Sequence, residues 1–276
     1  MLSNLLRPLA GNAGTPIAWV EPDLSTATYD SINSTTPLGN PTSLSFSSDG
    51  HRMLIVDGAT SGNHSVGSKY MPTAWSLSGA YTSSSSTLTE VTWPQGGCFS
   101  ENGMYLFVFD TYTKFVHKYK LPSPWDVSSV SHVSVSSSVY VDTSTMFGMQ
   151  ISRDGKKMYM AGLPSPVVYQ WSLSTPWDTT TAVYEKTKSF SSESSHITGF
   201  VFGRYGDYLY ACDNTNDRIL KYNLTTPWDV GTAAYTGQNK SVASQDTLPN
   251  KINLSISGDK MYVLGVANTR VYQYSV

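Results

Sequence analysis

Charge is the first scarcity. Of 276 residues only 14% are Asp, Glu, Lys or Arg, and 18 cations against 20 anions leave a formal charge of −2. A nucleic-acid binder needs clustered Lys and Arg to neutralise phosphates, so no nucleic-acid partner is expected. Glutamate is scarcer still, with Glu21, Glu90, Glu101, Glu185 and Glu193 making up its whole complement. The two cysteines, Cys98 and Cys212, cannot build a disulfide framework and read as buried, unpaired thiols. No run approaches the roughly 18 apolar residues of a membrane span, so no membrane insertion is expected. The first residues, Met1 to Ala10, are interrupted by Arg7 and Pro8 and make a poor signal peptide. The residues that build helical bundles are also in short supply.

Ser and Thr, by contrast, make up about a quarter of the chain, beside 21 Gly and 18 Tyr. Ser, Thr, Tyr and Val suit half-buried strands, and Gly, Pro, Asn and Asp suit the turns between them. The apolar fraction of 39% suffices for a core. The composition therefore predicts an all-β protein.

Self-similarity decides the architecture. Five segments share an apolar strand, a turn with Gly and a second apolar strand, as in SLSFSSDGHRMLIV from Ser43 and INLSISGDKMYV from Ile252. Their turn glycines, Gly50, Gly103, Gly155, Gly206 and Gly258, are spaced by 53, 52, 51 and 52 residues. A third strand follows, carrying Trp75, Tyr119, Trp171, Tyr222 and Tyr274; in the last four units this aromatic lies 16 residues after the glycine. Next comes Pro-Trp-Asp at 124–126, 176–178 and 227–229, then a Ser/Thr-rich fourth strand. Four short strands and their loops in about 50 residues describe a propeller blade.

The two chain ends complete the prediction. The fifth unit stops after three strands, and Pro22 to Tyr29 resembles the missing fourth. Complementary ends imply a closed ring with short, protected edges, not a capped solenoid. The expectation is a five-bladed β-propeller of four-stranded antiparallel blades over residues 18–276. Its fifth blade combines 249–276 with an outer strand from 23–32. Residues 1–17 stand apart as an arm, and Leu2, Leu5, Leu6 and Leu9 could dock it onto an assembly.

Within the repeat, Phe46, Phe99, Ile151, Phe202 and Leu254 share one position and are expected in the core between blades. The innermost strands, taken as 43–47, 96–100, 147–152, 198–203 and 250–255, contain no Asp or Glu. A propeller glycosidase needs two carboxylates within about 5–10 Å there. The histidines have no zinc-ligand spacing, and no nucleophile elbow or phosphate loop is present. These absences predict a non-enzymatic protein with no metal and no cofactor. Asp57, Asp110, Gly162, Asp213 and Gly265 share the turn after the second strand. Asp213 opens the run Asp213-Asn214-Thr215-Asn216-Asp217-Arg218, which reads as turn capping in preference to a Ca²⁺ loop.

Blade one breaks the pattern. Its aromatic, Trp75, follows Gly50 by 25 residues, so nine extra residues fall within 58–70, and Pro-Trp-Asp is missing. Loops on rigid scaffolds carry specificity. Asn63 and His64 in this loop, with Trp93, Gln95, Tyr112, His196 and Asp213, are therefore the predicted ligand- or partner-binding residues.

The strings Leu173-Ser174-Thr175-Pro176-Trp177-Asp178, Asn223 to Asp229 and Lys120 to Asp126 resemble a repeat found in propeller-like proteins of marine bacteriophages. So do Met261-Tyr262 and Val271-Tyr272-Gln273-Tyr274. The resemblance covers roughly residues 20–276. It implies a virion structural protein of tail, fibre or capsid surface, made in the host cytoplasm, with other virion proteins as partners and a host-surface glycan as a further one. A lectin-like module and a lactonase- or glycosidase-type propeller are the alternatives.

Overall fold

A computed structural model describes residues 18–58, 64–139, 141, 145–163 and 165–276. They form five four-stranded antiparallel sheets, the blades of a five-bladed propeller. The inner strands are Ser45–Phe46, Pro94–Phe99, Thr145–Ile151, Ile197–Phe202 and Pro249–Leu254. The ring closes as predicted. The outer strand of blade five is Thr28–Thr35, antiparallel to Arg270–Ser275, with Tyr29 opposite Tyr274. That strand begins a few residues later than expected, because Asp23 to Thr26 form a turn in which Ser25 N–H donates to Asp23 Oδ1 at 2.9 Å.

Five apolar clusters hold the ring, one at each seam between neighbouring blades. Alternation along the strands explains them: one side chain faces the preceding blade and the next faces the following blade. Phe202 thus packs on Tyr159 of blade three, while Val201 packs with Leu254 of blade five. Burying such clusters contributes about 25 cal/mol per Å² of apolar surface.

Polar side chains also tie the seams, and the sequence varies how. Tyr159 Oη donates to the Trp228 carbonyl at 2.6 Å, and Tyr262 Oη to that of Trp75 at 2.6 Å. Blade two has Phe107 at this position, and Lys118 Nζ instead reaches the Trp177 carbonyl at 2.9 Å. In blade four Tyr210 Oη donates to Pro22 O at 3.2 Å, so the closing segment is bound as an ordinary blade would be.

The recurring tryptophan explains the recurring glycine. Trp75, Trp125, Trp177 and Trp228 all have φ near +60°, and their N–H groups donate to the carbonyls of Gly50, Gly103, Gly155 and Gly206 at 2.9 Å. Each indole lies over its own blade's glycine, where a Cβ would stand 2.3–2.4 Å from ring atoms. Only glycine tolerates both that approach and the positive φ.

This arrangement corrects the account of blade one. Trp75 is not its third-strand aromatic; it is the turn tryptophan, retained without the flanking Pro and Asp. The third strand is Ser65–Tyr70, and Lys69 opposite Met53 holds the position of Tyr119 opposite Leu106. The true excess is three residues, since turn tryptophan follows glycine by 25 residues here and by 22 elsewhere. Both thiols are free and buried, as expected, and burial pushes each up to about 12. No described helix is long and apolar enough to cross a membrane.

Candidate functional site

The inner strands surround an axial passage, drawn together where they begin and widening towards the hairpin turns. At the end where they begin, glycines bring neighbouring backbones into contact. A Cβ on Gly96 would lie 3.0 Å from Gly148 C, one on Gly148 3.1 Å from Thr198 O, and one on Gly199 2.4 Å from Asn250 O. The equivalent position in blade five is Lys251. Its stem packs over Gly199, and its amine donates to Thr198 O at 2.9 Å and Asn250 Oδ1 at 2.7 Å. This amine is buried with no carboxylate bonded to it, and burial pushes its pKa down to about 7.

One residue further along each strand, the passage widens into a cavity of about 210 Å³. Its wall runs from Leu44, Gly97, Met149, Phe200 and Ile252 to the hairpin turns at the opposite face. Such a volume admits one small molecule. Amides occur part-way down. Gln150 Oε1 accepts from Phe202 N–H at 3.0 Å, and Asn253 Nδ2 donates to Leu44 O at 3.1 Å.

The mouth is built from a single repeat position, two residues before each turn glycine. There the five blades carry Ser48, Glu101, Arg153, Arg204 and Ile256, all lining the cavity. Glu101 and Arg153, on adjacent blades, form an ion pair through Oε1 and Nη2. Arg204 Nη1 donates to the Ile256 carbonyl at 2.8 Å. Burial and the neighbouring Arg153 both disfavour its charge. Trp19, from the closing segment, covers Gly258 and meets the Tyr205 ring edge-on at 6.5 Å. Fivefold backbone symmetry thus presents a carboxylate and two guanidiniums on one side, and a hydroxyl, an aliphatic chain and an indole on the other.

The predicted binding residues lie elsewhere. His64, Trp93, Gln95, Tyr112, His196 and Asp213 flank the starts of inner or third strands or the ends of second strands, at the narrow end. Asn63 and Leu2, Leu5, Leu6 and Leu9 lie outside the described residues. Asp213 is fully buried and occupied, accepting from Ser194 Oγ at 2.7 Å, Asn216 Nδ2 at 2.8 Å and Arg218 Nε at 2.8 Å. Asp110 likewise accepts from the N–H groups of Thr92, Trp93 and Tyr112, which holds Trp93 and Tyr112 50% and 71% exposed. His196 is half-buried, and burial lowers its pKa. Among the described residues no group of three or more His, Cys, Asp or Glu is placed to hold a metal ion.

No family model and no curated protein matches the chain. Solved structures do. A candidate 6-phosphogluconolactonase of Bacteroides uniformis superposes with a TM-score of 0.57 at 15% identity, over 88% of this chain and 82% of that one. Another, from Bacteroides fragilis, gives 0.53 at 13% identity over 88% and 82%. The Cps50 (Swd1) β-propeller domain of Myceliophteria thermophila gives 0.52 at 10% identity over 89% and 100%. At these identities the likeness defines the class of fold, a β-propeller.

The same comparisons correct the functional expectation. The likeness runs to propellers named as lactonases, which overturns the reading as a non-enzymatic phage structural protein. The physical reason is visible at the mouth. The observed inner strands do lack Asp and Glu, but Glu101 stands two residues beyond Phe99, on the hairpin turn that rims the cavity. Scarcity of carboxylates along the strands was therefore no argument against catalysis.

Proposed function

We propose that the protein hydrolyses a small sugar-type lactone in the axial cavity. The observation that carries this reading is the Glu101–Arg153 pair at the mouth of an axial cavity of about 210 Å³. Glu101 accepts a proton from a water as its oxygen adds to the lactone carbonyl carbon. Arg153, beside it, stabilises the oxyanion that forms. The ring C–O bond then breaks, its oxygen takes up a proton, and the product is the open-chain hydroxy acid. The lactonase names of the two Bacteroides propellers support the choice of substrate class.

Glucono-1,5-lactone hydrolysis in a pH-stat tests the reading. The wild-type chain is expected to exceed the spontaneous rate, and Glu101→Gln to lose on the order of 100-fold in kcat. A wild-type rate equal to the spontaneous one would sink it.

A further inference from the structure

One group at the mouth has no part in that chemistry. Arg204 offers five N–H donors in a planar fork. Among the described residues its hydrogen bond is to a neutral carbonyl, Ile256 O. The nearby carboxylate, Glu101, is already held by Arg153. The mouth thus carries two guanidiniums to one carboxylate, in a chain whose formal charge is −2. The imbalance is confined to one side, because the same repeat position is Ser48 in blade one and Ile256 in blade five. A half-buried guanidinium whose neighbouring carboxylate, Glu101, is shared with a second guanidinium is costly, and burial and Arg153 outweigh the help that Glu101 gives. An anion entering from solvent would relieve both costs. Phosphate and carboxylate each match the fork of a guanidinium bidentately.

We propose that Arg204 is an anion-binding residue that selects substrates bearing a phosphate monoester or a carboxylate. The inference rests on the lactonase reading for the words "substrate" and "selects", while the anion site itself requires only binding. The ligand's charged end sits against Arg204 at the rim, and its ring reaches inward past Glu101 towards the amides of Gln150 and Asn253. Arg204 touches the substrate but takes no part in proton transfer.

The test separates binding from turnover. Glucitol, which is uncharged, and glucitol 6-phosphate, neither with a lactone bond, are titrated calorimetrically into the full chain. The phosphate ester is expected to bind on the order of 30-fold tighter, the effect of one charge-assisted bidentate contact. Arg204→Gln, checked for an unchanged melting curve, should bring the two affinities within about threefold. Arg204→Lys, which keeps charge but loses the fork, should fall between them. Hydrolysis of glucono-1,5-lactone, its 6-phosphate and glucaro-1,4-lactone then identifies the source of the charge. A preference for the phosphate ester alone assigns phosphate, and equal preference for the glucaro compound assigns any rim anion. Equal binding of glucitol and its phosphate by the wild type, or a preference that survives Arg204→Gln, overturns the proposal. Selective binding without hydrolysis of any lactone upholds the anion site and removes the lactonase reading.

Discussion

The two ends of the axial passage start from the same five strands and reach opposite outcomes. At the narrow end the repeat position is Gly96, Gly148 or Gly199 in blades two to four. Removing the side chain there lets backbones touch. At the mouth the repeat position is Ser48, Glu101, Arg153, Arg204 or Ile256, four residue types in five blades, all lining the cavity. Three glycines let neighbouring inner strands approach closely, while a varied set of side chains lines the mouth. In a repeat scaffold stability is written in what recurs, and chemistry in what does not.

Crowding the narrow end should have the largest effect. Gly199→Ala forces a Cβ to within 2.4 Å of Asn250 O, a backbone atom that cannot swing away. We expect a loss of about 3 kcal/mol in urea unfolding, from overpacking between blades four and five. A loss under about 1 kcal/mol would mean that the collar is looser than its geometry implies.

The buried amine at the narrow end should show itself through pH. In the folded chain Lys251 is pushed down to about 7 by burial. An unfolded lysine holds its proton to about pH 10.4. Between these values the unfolded chain binds more protons than the folded one, so stability rises with pH. Its slope is up to about 1.4 kcal/mol per pH unit. Below about pH 7 both states hold the proton, and the cost of burying the charge is present in full. Lys251→Met should flatten the rise between pH 7 and 9, measured as unfolding free energy against pH in both proteins. The thiol of Cys212, pushed up to about 12 by burial, acts in the opposite sense above the unfolded thiol's value of about 8.5, so the Lys251 contribution is read as the difference between the two proteins.

The smallest stability effect is expected at the mouth. Glu101 and Arg153 keep 39% and 27% of their side-chain surface exposed, so their ion pair is well screened. Glu101→Gln should change unfolding free energy by less than about 1 kcal/mol while removing turnover. If it destabilises the fold as much as Gly199→Ala does, the mouth is structural and the contrast between the two ends dissolves.

Much of the fold was legible because it is written five times. The spacing of Gly50, Gly103, Gly155, Gly206 and Gly258 states the blade, and the fragment before Tyr29 states the closure. Blade one was misread for a local reason. Trp75 was aligned by residue type with the third-strand aromatics, yet Lys69 holds that place, its amine bonded to Ser34 and Thr35 of the closing strand at 2.9 Å each. An aromatic at a turn and an aromatic on a strand look alike until pairing is known.

The candidate site at the mouth is also legible in the repeat. Aligning the residues two before each turn glycine shows Ser48, Glu101, Arg153, Arg204 and Ile256, a varied column beside the nearly uniform Ser47, Ser100, Ser152, Gly203 and Ser255. The inner strands carry no carboxylate, whereas the hairpin turns that also reach the axis do. The residues expected to bind a partner lie on the exposed loops at the end where the inner strands begin. There Asp110 and Asp213 proved to be clamps for backbone N–H groups and neighbouring side chains.

By itself the sequence determined the strand period, the number of blades and the means of closing the ring, because periodicity and turn chemistry are local and were repeated. Only the tertiary structure decided which end of the axis narrows and which widens. That choice depends on contacts between strands about fifty residues apart, where a missing Cβ lets two backbones meet and a guanidinium finds its carboxylate across a seam.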